Sequence, residues 1–350
     1  MGTVHGTHTE PLKNFFFDSQ YFHYSFSMNG AGIMSKTQKV VTSTGQAINK
    51  KTLGMRIWNH RGFYLMFLPV FIYVLIIYYW PMLGVRYSFY DYTLKKMEFV
   101  GLKHFTNMFK DADFWKAFFN TLQLSIVKLL ITTGTAVLVS VFINEMANLF
   151  AKKVLQTVIY LPHFMSWTVT AAIFTLFLST SSTGFVNETL KSWGLITESI
   201  DFMHELTLWR PVYYLVNIWK ETGWGTVIFL ATLSGINPEL YEAADIDGAT
   251  RLQKIWYVTV PELLNTIIIV LILNLAKVLN LFESVFVMYN NRVFAVSDVI
   301  STYIYRKTFM TAIPNYGYST AVGLFKSIVG CALVLICNRA SKKVRGRGII

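Results

Sequence analysis

Few residues in this chain have the type and spacing that chemistry requires, and those that do lie inside long apolar runs. Asn274, Lys277, Asn280 and Ser284 fall within about a third of a helix circumference at 100° per residue, so a helix through them would carry one polar stripe. Ionisable and strongly polar groups are costly in a membrane-spanning helix and by default mark a path for a polar solute. Lys128 and Lys326, in two other apolar runs, are candidates to face the same cavity. Such a lining suits a hydroxyl-rich sugar, with Trp167 and Tyr305 as stacking faces, and the lysines raise the question of an acidic saccharide such as a uronate. The competing reading is structural: snorkelling stems or bonds between helices, which fits Lys128 near a span end better than Lys277 or Lys326. His163 follows Pro162 and fits bonding to a carbonyl freed by the proline better than proton relay or metal binding, since no second histidine stands at ligand spacing. Lys220 and Glu221 are adjacent, so they point to different helix faces, with an external gate or a partner contact both open. Cys331 and Cys337 are poorly placed for a disulfide or a metal. The sequence contains no HExxH, and no catalytic or metal-ligating set is expected.

The elements that must position these residues follow from composition. Of 350 residues 53% are hydrophobic and 14% charged, where soluble chains carry about 25% charge, and the mean hydropathy is +0.43. An all-α polytopic membrane protein is expected, with six transmembrane helices near 63–80, 120–142, 154–178, 212–233, 263–281 and 318–337. Membrane lipid is then a partner, and the net charge of +12 reads as cytoplasmic flanks, not as a nucleic-acid footprint. Basic clusters before the first span (Lys50, Lys51, Arg56, Arg61) and after the last (Arg339, Lys342, Lys343, Arg345, Arg347) place both termini on the cytoplasmic side of the cell membrane. Residues 1–50 read as a flexible cytoplasmic leader, with Met34 an alternative start, and 51–350 as the membrane domain. Residues 81–118 end in an amphipathic segment suited to the membrane surface.

One stretch, 237–262, is polar and charged between two apolar runs. Asn237, Pro238 and Glu239 are a side-chain acceptor, a proline at the first helical position and an acid against the helix dipole. Gly248 can stop that helix in a left-handed conformation, Thr250 to Gln253 has capping-box spacing, and Pro261 is expected to end the second helix before the fifth span. Two short cytoplasmic helices exposing Tyr241, Leu252, Ile255 and Trp256 would serve as a partner interface. The spacing alone fits an amphipathic loop on the inner membrane surface equally well.

The segment EAADIDGATRLQKIWYVTVP, 242–261, resembles the EAA signature of permease subunits of binding-protein-dependent ABC importers. Glu242, Ala243, Ala244, Asp247, Gly248, Ala249 and Pro261 stand at signature positions, while Val258 and Val260 replace the more usual Ile and Leu. FVGLKHFTNMF and FWKAFFNT are similar to the carbohydrate-uptake, maltose-type permeases. LPHFMSW, FESVFVMYN and AVGLFKSIVG point to the LplB-like polysaccharide branch, and the resemblance covers roughly 60–350. It implies that the 237–262 loop is an ATPase-coupling loop docked on a nucleotide-binding ATPase dimer, with Leu252, Ile255, Trp256 and Tyr241 as its apolar contacts. It further implies a second permease subunit, favouring a paralogue, and an extracytoplasmic solute-binding protein that delivers the cargo.

No GxxxxGK[ST] loop occurs, so ATP and Mg are expected on the partner ATPase and no cofactor on this chain. The readings that compete are a permease for a non-sugar solute and a secondary transporter. The latter would call for coupling carboxylates near the midplane, and none is evident.

Overall fold

The computed structural model describes residues 40–41, 47–48, 58–93 and 97–345. They fall into two units, one ending at Val70 and the other starting at Phe71. In the first, strands β1 (Val40–Val41) and β2 (Ala47–Ile48) pair antiparallel, and helix α1 (Arg61–Val74) begins with Phe63, Leu65 and Met66 exposed. The remainder of the expected leader, with Lys50, Lys51 and Arg56, lies outside the described residues. Arg61–Phe89, longer than the expected 63–80, is apolar enough to cross a membrane.

Beyond α1 the ladder widens to a π turn at Leu75–Tyr79, where the Trp80 N–H reaches the Leu75 carbonyl, and Pro81 follows. The same device recurs at Ile255–Thr259, where the Val260 N–H reaches Ile255 O just before Pro261. A proline lacks the N–H that an α ladder needs, and here it falls where the ladder is already interrupted. Pro261 therefore does not end the second helix of the 237–262 stretch, as the sequence led us to expect. The helix runs on, and Arg251–Leu275 is one membrane-length rod.

Strands β3 (Tyr90–Tyr92) and β4 (Met97–Phe99) form a hairpin leading to α2 (Lys103–Lys110). Helix α3 (Ala112–Asn144) starts at once, because the Asp111 carboxylate accepts the Asp113 N–H at 2.9 Å. The aromatic segment expected at the membrane surface is thus fused to the second span.

The expected third span, 154–178, is not one helix. Helix α4 (Leu149–Tyr160) passes into a 3-10 turn at Leu161–Phe164, and α5 (Trp167–Phe177) leaves at 104°. Pro162 weakens the ladder, and Ser166 opens the new helix by accepting the Val169 N–H at 3.2 Å. After α6 (Phe185–Ser192), α7 (Trp209–Leu233) contains the expected fourth span as one continuous helix, and it packs along α3. Gly223 makes the close approach to α4 feasible: a Cβ there would stand 2.1 Å from the Ile159 carbonyl oxygen.

Helices α8 (Pro238–Ile246) and α9 (Arg251–Lys254) form the polar stretch and α10 (Val260–Leu275) the fifth span. Irregular chain with two single helical turns, Glu283–Phe286 and Phe294–Ser297, leads to α11 (Ile300–Phe309), and α12 (Tyr316–Arg345) contains the sixth. Among the described residues, four helices are long and apolar enough to cross a membrane, or five if the bent α4–α5 pair counts as one span.

Among the described residues the buried core has three clusters. Trp209, Tyr213, Val285 and Val293 pack with Leu124 at one end of α3 and α7, and Phe229, Leu233, Ile143 and Leu263 at the other. Phe114, Met108, Ile300 and Tyr303 join α2, α3 and α11 to Val322 of α12.

Candidate functional site

A cavity of about 330 Å³ opens between α3, α7 and the end of α10. Lys128 and Thr132 line it from α3, Glu221 and Trp224 from α7, and Asn274, Lys277 and Asn280 from the third wall. The last three meet there by a different route from the one the spacing suggested. Helix α10 stops at Leu275, short of the expected 281, so Lys277 lies in a turn and Asn280 in irregular chain. The Ser125 hydroxyl, from α3, donates to the freed Val278 carbonyl at 2.5 Å. The freed backbone is thus satisfied in part by protein, and it borders the polar cavity. Ser284 does not belong to the lining: it is buried and hydrogen-bonded to the Tyr213 hydroxyl at 3.0 Å.

Lys128 approaches the Trp167 ring from one side at 5.9 Å, and Lys220 stands 5.3 Å from the same ring. Trp167 is thereby a cation–π partner of two ammonium groups, and it is absent from the cavity lining. Lys220 is buried, and its ammonium donates to the carbonyls of Pro162 at 3.4 Å, His163 at 3.0 Å and Met165 at 2.5 Å. All three carbonyls belong to the break between α4 and α5. The structural duty expected of His163 at the proline is carried by Lys220. His163 instead stacks on Trp224 at 4.9 Å, with Nδ1 3.4 Å from Glu221. Glu221 thus faces the cavity while its neighbour Lys220 turns to the break, so the two do point apart.

Lys326 lies outside this lining. Its ammonium donates to Ser301 at 3.0 Å, tying α12 to α11. Tyr305 sits on α11 among Phe282, Phe286 and Phe309. Cys331 is exposed and Cys337 half-buried, both on α12.

Apart from Pro261, through which the helix continues, the caps of the 237–262 stretch have the geometry that its sequence implies. The Asn237 side chain accepts the Glu239 N–H at 3.1 Å and Pro238 opens α8. Gly248 has φ +72°, with its N–H on Asp245 O at 3.1 Å and the Ala249 N–H on Ala244 O at 2.9 Å, the pair of bonds that defines a Schellman end. Thr250 and Gln253 form the capping box, through bonds of 2.7 and 3.4 Å. Lys254 reaches back to Asp245 at 2.6 Å and the Tyr241 hydroxyl meets Thr259 at 3.0 Å, so the two helices are cross-braced. Leu252 and Trp256 are exposed as expected, whereas Tyr241 and Ile255 are half-buried. Sequence reasoning missed Ile246 and Tyr257, which are 88% and 80% exposed and enlarge the same apolar surface. Glu242, Ala243 and Asp247 are exposed on α8 and its cap, Ala244 and Ala249 half-buried, and Pro261 exposed.

Comparison with known proteins finds the family described as "Binding-protein-dependent transport system inner membrane component" over residues 136–345. Protein LplB of Bacillus subtilis is 40% identical over 293 residues, 82% of this chain and 90% of that protein. The polygalacturonan/rhamnogalacturonan transport system permease protein YteP of the same organism is 38% identical, over 86% of this chain and 94% of its own length. Among solved structures, a bacterial ABC transporter involved in the import of the acidic polysaccharide alginate superposes with a TM-score of 0.78 at 37% identity. The match covers 84% of this chain and 100% of that one. A second structure, also at TM-score 0.78 and 37% identity, covers 85% of this chain and 100% of that one. It holds the alginate transporter in complex with an alginate pentasaccharide-bound periplasmic protein.

Proposed function

The chain belongs to the family of binding-protein-dependent transport system inner membrane components, and we propose that it is the permease subunit of an ATP-driven importer of acidic oligosaccharide or polysaccharide fragments. Its role is transport, with the chemistry of ATP hydrolysis left to a separate subunit that binds ATP and Mg. The observation that carries the acidic cargo is the cavity in which two ammonium groups, Lys128 and Lys277, outnumber the single Glu221 carboxylate, beside the amides of Asn274 and Asn280. Ammonium groups answer a carboxylate, and amides answer ring hydroxyls. The names of two relatives, which concern polygalacturonan and alginate, support the same class.

Six crossings follow if α7 is counted with the apolar helices and the α4–α5 pair as one. Burial against α3, and saturation of the Lys220 ammonium by three carbonyls, let α7 occupy the membrane despite its polar residues. Both termini and the 237–262 loop then face the cytoplasm. There Ile246, Leu252, Trp256 and Tyr257 form the apolar surface that a nucleotide-binding ATPase dimer would cover. Because α9 is continuous with α10, a displacement of the loop is transmitted to the wall of the cavity without a flexible joint. Reversing a two-state gate takes a differential energy of about 5 kcal/mol, which only a stiff connection can deliver. A second permease, favoured by resemblance to be a paralogue, completes the path, and an extracytoplasmic solute-binding protein supplies the cargo.

The test is uptake by the reconstituted importer carrying Lys277→Ala. A loss of about tenfold for uronate oligosaccharides, with neutral ones of equal length little affected, is the expected result. Equal losses for both would remove the charge argument.

A further inference from the structure

The chain that lines one wall of the cavity runs on into a strip of aromatic rings. Asn280 and Leu281 line the cavity, and Phe282 is the next residue. Phe282 and Phe286 stack at 5.0 Å across one helical turn, and Tyr305 and Phe309 lie one turn apart on α11 at 5.2 Å. The two pairs meet: Tyr305 stands edge-on to Phe286 at 4.9 Å and tilted to Phe282 at 5.8 Å. Tyr289 extends the strip from Phe286 at 5.7 Å.

Two features set these rings apart from the core. Tyr303, one residue pair away on α11, is fully buried and its hydroxyl bonds to Asp111 and Tyr318. Phe282, Phe286, Tyr289 and Tyr305 instead remain partly accessible and Phe309 is 69% exposed. The Tyr289 and Tyr305 hydroxyls have no hydrogen-bond partner among the described residues, and neither is sealed from solvent. The charges of α11 are drawn elsewhere: Arg306 pairs with Asp298 at 2.8 Å and lies over Phe294, and Lys307 pairs with Asp111 at 3.5 Å. What is left is a set of aromatic faces and free phenolic hydroxyls, flanked by the exposed Glu283 and continuous along the chain with the residues that line the polar cavity. A pyranose matches it, because its C–H face carries the positive edge that a ring's negative face attracts, while its hydroxyls seek phenolic partners.

We infer that Phe282, Phe286, Tyr305 and Phe309 form a stacking track on which successive pyranose rings of the cargo rest as the chain is threaded into the Lys128–Lys277 cavity. The track rests on the cargo class proposed above. It adds a second recognition principle, indifferent to charge and multiplied by chain length. Cargo of several linked rings engages several positions at once, whereas a single sugar engages one.

The experiment uses the complete importer in proteoliposomes, with its ATPase and binding protein, and compares a uronate monosaccharide with a longer uronate oligosaccharide. Tyr305→Leu and Phe286→Leu should each raise KM for the oligosaccharide about fivefold to tenfold, with a much smaller change for the monosaccharide. Tyr305→Trp, which keeps a stacking face, should restore the wild-type value. Uptake that is intact but insensitive to these substitutions overturns the track alone. So does a loss that is independent of chain length and not restored by tryptophan, or one that follows reduced co-purification of the second permease, since both mean that the strip is a packing surface. If the wild-type importer takes up no saccharide of any length, the cargo reading fails and the track fails with it.

Discussion

Lys220 shows how one side chain can make an unusual backbone feasible. The break between α4 and α5 leaves carbonyls without helical donors, and in a low-dielectric setting each orphaned polar group costs about 1–3 kcal/mol. The Lys220 ammonium has three donors and meets three of those carbonyls, so its own charge is solvated by the same contacts. Lys220→Met removes both halves of that arrangement. The expected outcome is a fall in the thermal unfolding midpoint of the purified complex that exceeds any fall for Lys128→Met. Comparable midpoints for the two variants would show that Lys220 does not hold the break. Trp167, beside two ammonium groups, is a cation–π partner in the same region.

At the scale of elements, the second helix of the 237–262 stretch and α10 are one mechanical piece. Gly248 sits at φ +72° with open space around a would-be Cβ, so a substitution there meets backbone strain, not a clash. The left-handed conformation costs an L-residue about 1–2 kcal/mol, and a β-branched one more. Gly248→Val should therefore leave the membrane helices folded while abolishing transport and cargo-stimulated ATP hydrolysis; normal uptake by this variant would count heavily against a coupling role. The π turn at Ile255–Thr259 offers a second test. Deleting Val258 should return the ladder toward α geometry and rotate the loop by about 100° relative to α10. Co-purification with the ATPase is expected to be lost, with helix content by circular dichroism unchanged. Retained binding of the ATPase would mean that the facing of the loop is not set by that turn.

For the whole molecule, orientation is the property on which every functional assignment depends. Ile246 and Phe309 are both well exposed, and the proposed topology puts them on opposite sides of the membrane. With Cys331 and Cys337 replaced, an impermeant thiol reagent added to intact cells should label Phe309→Cys at once and Ile246→Cys only after permeabilisation. The reverse pattern would invert the topology and remove the coupling loop from the cytoplasm. Much of this molecule was legible in the sequence, and what was legible is local. The caps at Asn237, Gly248 and Thr250 are set by hydrogen bonds that span a few residues, so residue type and spacing determine them. Apolar runs likewise declared a helical membrane protein, because lipid leaves the backbone few alternatives. The helix end at Leu275 and the break at Met165 were not legible, since their stabilising partners come from far along the chain: Ser125 reaches Val278, and Lys220 reaches Pro162, His163 and Met165. Asn274, Lys277 and Asn280 were picked out by assuming one helix face, yet they meet because that helix stops. By itself the sequence determined which groups are too polar for lipid; only the tertiary structure decided which of them are taken up by distant protein partners, as Lys220 is by three carbonyls and Ser284 by the Tyr213 hydroxyl, and which line the cavity, as Lys128 and Lys277 do.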